Sequence, residues 1–406
     1  MKGDRKRLIA VVTICAVVIL AAVIGIIRYA NHSLPTRLYL YGDMAEMTSK
    51  KDVRSVKAYF WQGSIKRSCY ATIKLQGTSS LNYDKKNYTI KFYKDADCEK
   101  KRTVDVGWGA ASEYCLKANW IDNTHTRNVV TAQLAAEVQG KYGVMEQAPC
   151  NGLVDGFPVE VYINGEFHGI YTWNIPKADW MFGMDEDDPN HIVMCGENWE
   201  SAAVFYELPN WTSWSVEVGL ENEETMAKFT RVADFILNSS DEDFKAHFDE
   251  YLDLDSALNY YILVEFAYLP DNRGKNMLMA TYDGKIWYPS LYDLDTSWGA
   301  SCDGLQLYDY ENEATSFSAN NLGRRLEKLF PQELHDRYFA LREEILTKDH
   351  VLDLFYTFEK GISQASRDRE TQRWGNKIPG YPISQIEEYL DVAIPRLDQK
   401  YKSLIQ

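Results

Sequence analysis

The chain has 406 residues, of which 45% are hydrophobic and 25% charged. This is the composition of a globular protein, long enough for two domains or for one bilobed domain. The formal net charge of −15 argues against nucleic acid as a partner, because a phosphate backbone binds to a basic face. The seven cysteines include no Cys-x-x-Cys pair, so a zinc site is not predicted.

The N-terminal segment predicts a membrane anchor. Residues 8–27 form an uncharged, largely apolar run of 20 residues, the length that crosses ~30 Å of hydrocarbon. The basic side chains of residues 1–7 predict a cytoplasmic tail. We therefore expect a single-pass cell-membrane protein with a transmembrane signal anchor (8–27), a tether (28–37) and an extracytoplasmic domain (38–406). A cleaved signal peptide is the alternative, although the run exceeds the usual apolar core.

The first half of the domain has the pattern of β-structure. Apolar and polar residues alternate with a period of two over much of residues 38–108, and Asn164-Gly165 is a strong signal for a hairpin turn. One helix is predicted in this half, at 125–139, after a capping cluster. The predicted strands are 37–41, 68–75, 88–93, 114–119, 158–163 and 167–172.

The second half is predicted to be mostly helical, with one hairpin at 277–292. A β-rich first half and a helix-rich second half, joined through this hairpin, predict an α+β fold of two lobes. The predicted helices are 223–238, 241–250, 255–268, 321–346, 349–369 and 383–404.

Two acidic segments flank the predicted hairpin. Asp271 is followed by Asn276 five positions later, and Asp293 and Asp295 come directly after the second strand. In protein kinases an Asp at the first position accepts the proton of the substrate hydroxyl, while the Asn and the later Asp bind Mg²⁺. The sequence therefore predicts a phosphoryl-transfer site. The alternative is that these residues only cap helices and bend loops.

Candidate phosphate-binding residues lie on the predicted strands and turns. Gly77, Thr78, Ser79 and Ser80 form a small-residue turn between two strands, where a phosphate-covering loop belongs, although an ordinary β-turn is the alternative. Lysines that lie close by or on the strands are positioned to reach phosphates, and the alternative is that they lie on the solvated face of an edge strand. Arg127 lies in the first turn of the 125–139 helix, where the helix dipole disfavours a cation unless an anion binds there too. The lysines are Lys85, Lys91 and Lys117.

These motifs resemble the CotH kinase family of atypical, spore-coat-associated kinases. The resemblance rests on five blocks in family order, over roughly residues 38–404. The blocks are Gln76 to Phe92, Leu116 to Asn128, Pro158 to Tyr171, Asp271 to Asn276, and Asp293 to Gly299.

The resemblance implies a bilobed, kinase-like fold and the transfer of the ATP γ-phosphate to Ser or Thr of a protein substrate, such as a spore-coat or cell-surface protein. It implies Asp271 as catalytic base, Asn276, Asp293 and Asp295 as Mg²⁺ ligands, and Gly77–Ser80 with Lys91 or Lys117 as nucleotide contacts. Two alternatives stay open: a non-catalytic surface or spore-coat structural protein on the same scaffold, and another phosphoryl or nucleotidyl transfer.

Overall fold

Strands dominate the first half of the chain. The structure, a computed structural model, describes residues 35–44, 47–63 and 65–406. The strands up to residue 174 are β1 (Arg37–Tyr41), β2 (Val53–Gln62), β3 (Ile65–Gln76), β4 (Asn87–Tyr93), β5 (Val104–Asp105), β6 (Ala110–Ala111), β7 (Glu113–Lys117), β8 (Gly156–Ile163) and β9 (Glu166–Asn174).

Seven of these strands close into a barrel, in the order β1-β2-β3-β4-β7-β9-β8. Neighbouring strands are antiparallel except β1 and β8, whose parallel pairing closes the barrel and leaves no open edge. Alternate side chains point inward, as the period-two pattern predicts. Trp173 is fully buried among them, stacked on Phe92 with ring centroids 5.6 Å apart.

A second sheet follows the barrel, in the order β11-β10-β12-β13. Its two C-terminal strands are the hairpin that the sequence predicts. The strands are β10 (Ile192–Gly196), β11 (Trp214–Val218), β12 (Met277–Thr281) and β13 (Tyr288–Leu291).

Helices surround this sheet and make up most of the second half. The central one is α5, which is buried along nearly its whole length and is capped by Asp253, whose side chain accepts from Ser256 N–H. The helices are α1 (Arg127–Lys141), α2 (Asp179–Phe182), α3 (Glu223–Asn238), α4 (Asp241–Ala246), α5 (Leu254–Phe266), α6 (Asn321–Leu329), α7 (Pro331–Arg342), α8 (Lys348–Glu359), α9 (Gln364–Trp374) and α10 (Ile383–Ser403).

Two of the predicted helices are each split in two. The predicted 321–346 helix breaks at Pro331, which begins α7 at the position where a missing N–H costs least. The predicted 349–369 helix breaks after Glu359, and Ser363 caps the next helix by accepting from Ser366 N–H. Local capping and proline therefore override the continuous apolar period in both segments.

The prediction of an α+β chain with a β-rich first half is confirmed. The finer prediction of two kinase-like lobes is not confirmed, because the first half is a closed seven-stranded barrel. Within residues 35–44, 47–63 and 65–406, no helix has the length and hydropathy needed to cross a membrane. The predicted anchor at 8–27 lies outside these residues.

Candidate active site

A cavity of about 700 Å³ lies between one end of the barrel and the second sheet. The barrel contributes the Gly77–Ser80 turn and Lys117, and the second half contributes Asp271, Asn276, Asp293 and Asp295. Residues that are far apart in the sequence, and that were predicted to share one site, therefore face the same space.

Asp271 and Asn276 are positioned by the end of α5. The chain leaves this helix through Pro270 and makes one 3₁₀ turn, Asp271–Arg273. Asn276 then has a left-handed backbone (φ 62°), and its N–H donates to Gly196 O at 2.8 Å. Such a backbone is costly for a residue other than glycine and is concentrated at functional sites.

Asn272 ties the two acidic segments together. Its buried side-chain Nδ2 donates to Tyr292 O at 3.0 Å and to Asn276 O at 3.3 Å. Its own carbonyl accepts from Tyr260 Oη at 2.6 Å. Asn272 therefore fixes the distance between the Asp271 turn and the chain that follows β13, a positioning role that the sequence pattern did not reveal.

Asp293 begins the second acidic segment and also has a left-handed backbone (φ 57°). The next residue, Leu294, donates its N–H to Asn128 Oδ1 at 3.0 Å, which anchors the segment to α1. Asp293 and Asp295 both line the cavity, as their alternate spacing predicts.

The carboxylates of this site repel one another. Burial raises the pKa of Asp295 well above its ordinary value, and Asp293 and Asp271 raise it further, whereas Lys117 opposes the shift. Burial also raises the pKa of Asp271, against the nearby Lys275 cation, and Asp293 adds to the increase. A group of carboxylates that is this costly to ionise together is stabilised by a cation.

Lys117 and Lys177 line the same cavity as these carboxylates. Lys117 lies at the end of β7, with its Nζ 3.8 Å from Asp293 Oδ1. Burial opposes its charge, but Tyr292, Asp293 and Asp295 together raise the pKa of Lys117 above its ordinary value. Lys177, just after β9, lies over the Tyr292 ring, with its Nζ 4.6 Å from the centroid.

The sequence reasoning missed Lys177. Its Nζ is 2.7 Å from Glu217 Oε1 and 3.4 Å from Cys195 Sγ, so it links the barrel to the second sheet. Its sequence signal was weak, since a lysine after Ile175-Pro176 lies outside the strand pattern. Lys275 also lines the cavity, with its Nζ 3.8 Å from Asp271 Oδ2.

The Gly77–Ser80 turn covers one side of the cavity. Gly77 has φ 100°, and a Cβ there would lie 1.9 Å from Ser80 Oγ, so the turn requires glycine. Ser80 Oγ donates to Gln76 O at 3.2 Å. Thr78 and Ser79 are exposed residues at the cavity rim.

Three predicted phosphate-binding residues do not line this cavity. Lys85 is fully buried elsewhere, with its Nζ 2.6 Å from Glu370 Oε1 and 3.0 Å from Ala118 O. Lys91 lies on the outside of β4 in an ion pair with Glu113, at 2.6 Å.

Arg127 is also committed to other partners. Its guanidinium is buried and donates to Asp122 Oδ1 and to Gln385 Oε1, each at 2.9 Å. The anion that we expected at the start of α1 is replaced by the carboxylate of Asp122, which also accepts from the first backbone N–H groups of the helix.

A family model described as CotH kinase protein matches residues 73–398, which is most of the chain. The chain belongs to this CotH family. The matched range includes every residue named above as lining the cavity, from Gly77 to Asp295. A comparison with curated proteins gave no match.

The cavity of this CotH chain fits a magnesium nucleotide by its donor set. Mg²⁺ prefers oxygen ligands and in nucleotide sites usually takes only one or two carboxylates, with phosphate oxygens completing its coordination. Asp293 and Asp295 supply the two carboxylates and Asn276 an amide oxygen, and Asp271 lines the same space. Lys117 and Lys177 also line the cavity and place positive charge in it.

A compact group of side chains that could ligate a metal ion lies in the same cavity. Ligand atoms of Cys195, Glu197 and Glu217 are all within 4.8 Å of one another, the only such group of His, Cys, Asp and Glu among the residues the structure describes. Lys177 forms an ion pair with Glu217 and so balances part of the negative charge of this cluster. We therefore assign the cluster to holding Lys177 in place.

Proposed function

We propose that this CotH protein is a membrane-anchored atypical protein kinase that transfers the γ-phosphate of ATP to Ser or Thr of a protein substrate with Mg²⁺. The observation that carries the proposal is the joint placement of Asp271, Asn276, Asp293 and Asp295 opposite Lys117 in one cavity. Phosphoryl-transfer enzymes use the same kinds of side chain: carboxylates, an amide and a lysine around the transferred phosphate.

Each side chain then has a role in the transfer. Asp271 accepts the proton of the acceptor hydroxyl, and its raised pKa suits a general base better than that of an ordinary aspartate does. Asn276, Asp293 and Asp295 would hold Mg²⁺, which when bound would supply charge that neutralises the phosphates. Lys117 and Lys177 pair with phosphate oxygens, and the Gly77–Ser80 turn covers them.

The identity of the protein substrate is inferred from the membrane anchor that the sequence predicts at residues 8–27. The domain would then lie outside the cytoplasm, and its substrates would be spore-coat or cell-surface proteins.

The test is phosphate transfer from γ-³²P-ATP by the full chain, with Ser- and Thr-containing proteins as acceptors. Asp271→Asn should reduce the rate by at least about 100-fold, the usual contribution of a general base. Asp353→Asn is the matched control, because Asp353 is exposed on α8, away from the cavity. The proposal fails if native protein transfers no label, or if Asp271→Asn and the control behave alike. Release of AMP instead of ADP would indicate nucleotidyl transfer.

A further inference from the structure

Charge is distributed unevenly along this acidic chain. Residues 35–105, which form β1 to β5 and their connections, contain 15 Lys and Arg against 8 Asp and Glu, a net charge of +7. Residues 106–406 contain 24 against 50, a net charge of −26. An asymmetry of this size is typical of a protein that meets an anionic partner with one side only.

The register of the barrel strands gathers aromatic and basic side chains on one outer surface. Across β1 and β2, Arg37 lies opposite Trp61 and Tyr39 opposite Tyr59, and Trp61 in turn lies opposite Lys66 of β3. We call this surface the aromatic–basic face. It consists of Arg37, Tyr39, Lys57, Tyr59, Trp61 and Lys66.

The rings and cations of this face are in contact. The Tyr39 and Trp61 rings have centroids 4.7 Å apart, and Lys66 Nζ lies 4.5 Å from the Trp61 centroid. Lys57 Nζ lies 5.5 Å from the Tyr59 centroid. Both lysine side chains are exposed, so their charges are available to a partner.

Acidic side chains near the face do not cancel its charge. Glu160 is buried and is shared between Arg37, at 2.9 Å, and Arg369, at 2.5 Å. The neighbouring connection, residues 94–105, contains four basic and four acidic residues and so adds no net charge. Lys57 and Lys66 therefore give the face a positive charge.

The face lies where the predicted tether joins the barrel. Nine residues, 28–36, separate the predicted span from Arg37, and an extended chain of nine residues reaches about 30 Å. Arg37, Trp61 and Lys66 share one end of their strands. The Gly77–Ser80 turn follows the other end of β3, about 40 Å away for a strand of this length.

We propose that the aromatic–basic face docks onto an anionic lipid surface, so that the barrel stands on the membrane with its cavity turned away from it. This inference rests on the membrane anchor of the proposed function. Tyr and Trp rings favour the membrane–water interface, and lysines near an anionic surface are attracted to it. The strongly acidic remainder of the chain is repelled by the same surface.

The test uses the full chain reconstituted in nanodiscs of phosphatidylcholine alone or with phosphatidylglycerol. Amine acylation followed by mass spectrometry measures the reactivity of Lys57 and Lys66 relative to Lys245 and Lys285, which are exposed in the helical half. We expect the relative reactivity of Lys57 and Lys66 to be about fivefold lower in the phosphatidylglycerol discs, the factor that one favourable lysine contact supplies.

A second measurement keeps the test independent of labelling. The double variant Lys57→Glu and Lys66→Glu should lose the enrichment of phosphatidylglycerol that co-purifies with native protein from a mixed-lipid detergent extract. The matched double variant Lys245→Glu and Lys285→Glu should keep it.

The remaining outcomes separate the inference from the proposed function. A chain that inserts into the discs but shows equal acylation in both lipids overturns the docking alone. A chain that does not insert overturns the anchor and the docking together, and leaves phosphate transfer to its own test. Protection by an anionic wall polymer without any lipid effect would assign the face to that polymer and overturn the proposal.

Discussion

Replacing Lys117 with Met should separate the cavity lysine from the exposed lysine that the same sequence argument selected. Both Lys117 and Lys91 lie on barrel strands. Lys117 faces the carboxylates, with its Nζ 3.8 Å from Asp293, whereas Lys91 pairs with Glu113 on the outside of β4. Met keeps most of the length and apolar volume of the side chain, so the change removes mainly the charge.

The size of the effect follows from that distance. Two unit charges 3.8 Å apart interact by about 4 kcal/mol at an effective dielectric constant of about 20. We take the same separation for a phosphate oxygen paired with Lys117. Because this side of the cavity is partly open to solvent, with the Asp293 side chain 38% exposed, we expect about 2–3 kcal/mol of this energy to act on the phosphates. The expected loss in kcat/KM for ATP is therefore about 30- to 150-fold.

The assay is steady-state transfer from γ-³²P-ATP with ATP varied, together with thermal unfolding of each variant. Lys91→Met should stay within about twofold of native protein, since exposed ion pairs contribute little. Equal rates for the two variants would refute the assignment of Lys117. If Lys117→Met has lost its folded structure, Lys117→Gln replaces it as the uncharged variant in the assay. Lys117→Arg keeps the charge and should retain more activity than Lys117→Gln.

Four further predictions follow from the contacts. Lys177→Met should raise KM for ATP about tenfold, because it removes the second cation facing the phosphates; ATP titration measures this, and an unchanged KM would exclude the role. Lys85→Met should lower the free energy of unfolding by about 3–5 kcal/mol, because it leaves the buried Glu370 carboxylate without its cation. Denaturant unfolding measures this, and an unchanged free energy of unfolding would contradict it. Asn272→Ala should lower the free energy of unfolding by about 1–3 kcal/mol, because it leaves the Tyr292 and Asn276 carbonyls without their donor. It should also weaken Mg²⁺ binding, measured by titration with Mg²⁺ at fixed ATP. Identical Mg²⁺ affinities of native and variant protein would contradict the positioning role of Asn272. Burial, with the Arg373 and Lys85 cations, lowers the pKa of His168 to about 3, so the unfolded state binds this proton at a higher pH than the folded state does. His168 should therefore contribute a fall of about 1.4 kcal/mol in the free energy of unfolding per pH unit below pH ~6. Denaturant unfolding at several pH values should show a slope smaller by this amount in His168→Gln, and an unchanged slope would contradict the assignment.

Much of the barrel could be predicted because its strands alternate apolar and polar residues. Strands such as 88–93 and the 158–172 hairpin follow directly from that period and from Asn164-Gly165. Closure could not be predicted, since it depends on the parallel pairing of β1 with β8, which lie more than a hundred residues apart. Local pattern carries no information about such a partner.

The acidic half of the site could be predicted for a similar reason. Asp271, Asn276, Asp293 and Asp295 flank one hairpin, so their proximity is a local property of the chain. The lysines required tertiary information. Lys85, Lys91 and Lys117 look alike in sequence, but only the packing of the barrel against α9 and the second sheet decides that Lys85 pairs with Glu370 while Lys117 faces Asp293.

The central claim is that the cavity binds Mg²⁺ and ATP together through its carboxylates. Isothermal titration of the full chain with ATP, with Mg²⁺ and then with EDTA, tests it most directly. We predict binding that requires Mg²⁺ and that becomes at least about tenfold weaker in Asp293→Asn, the loss expected when a charged ligand of the ion is neutralised. Binding of equal strength with EDTA, or in Asp293→Asn, would contradict the claim.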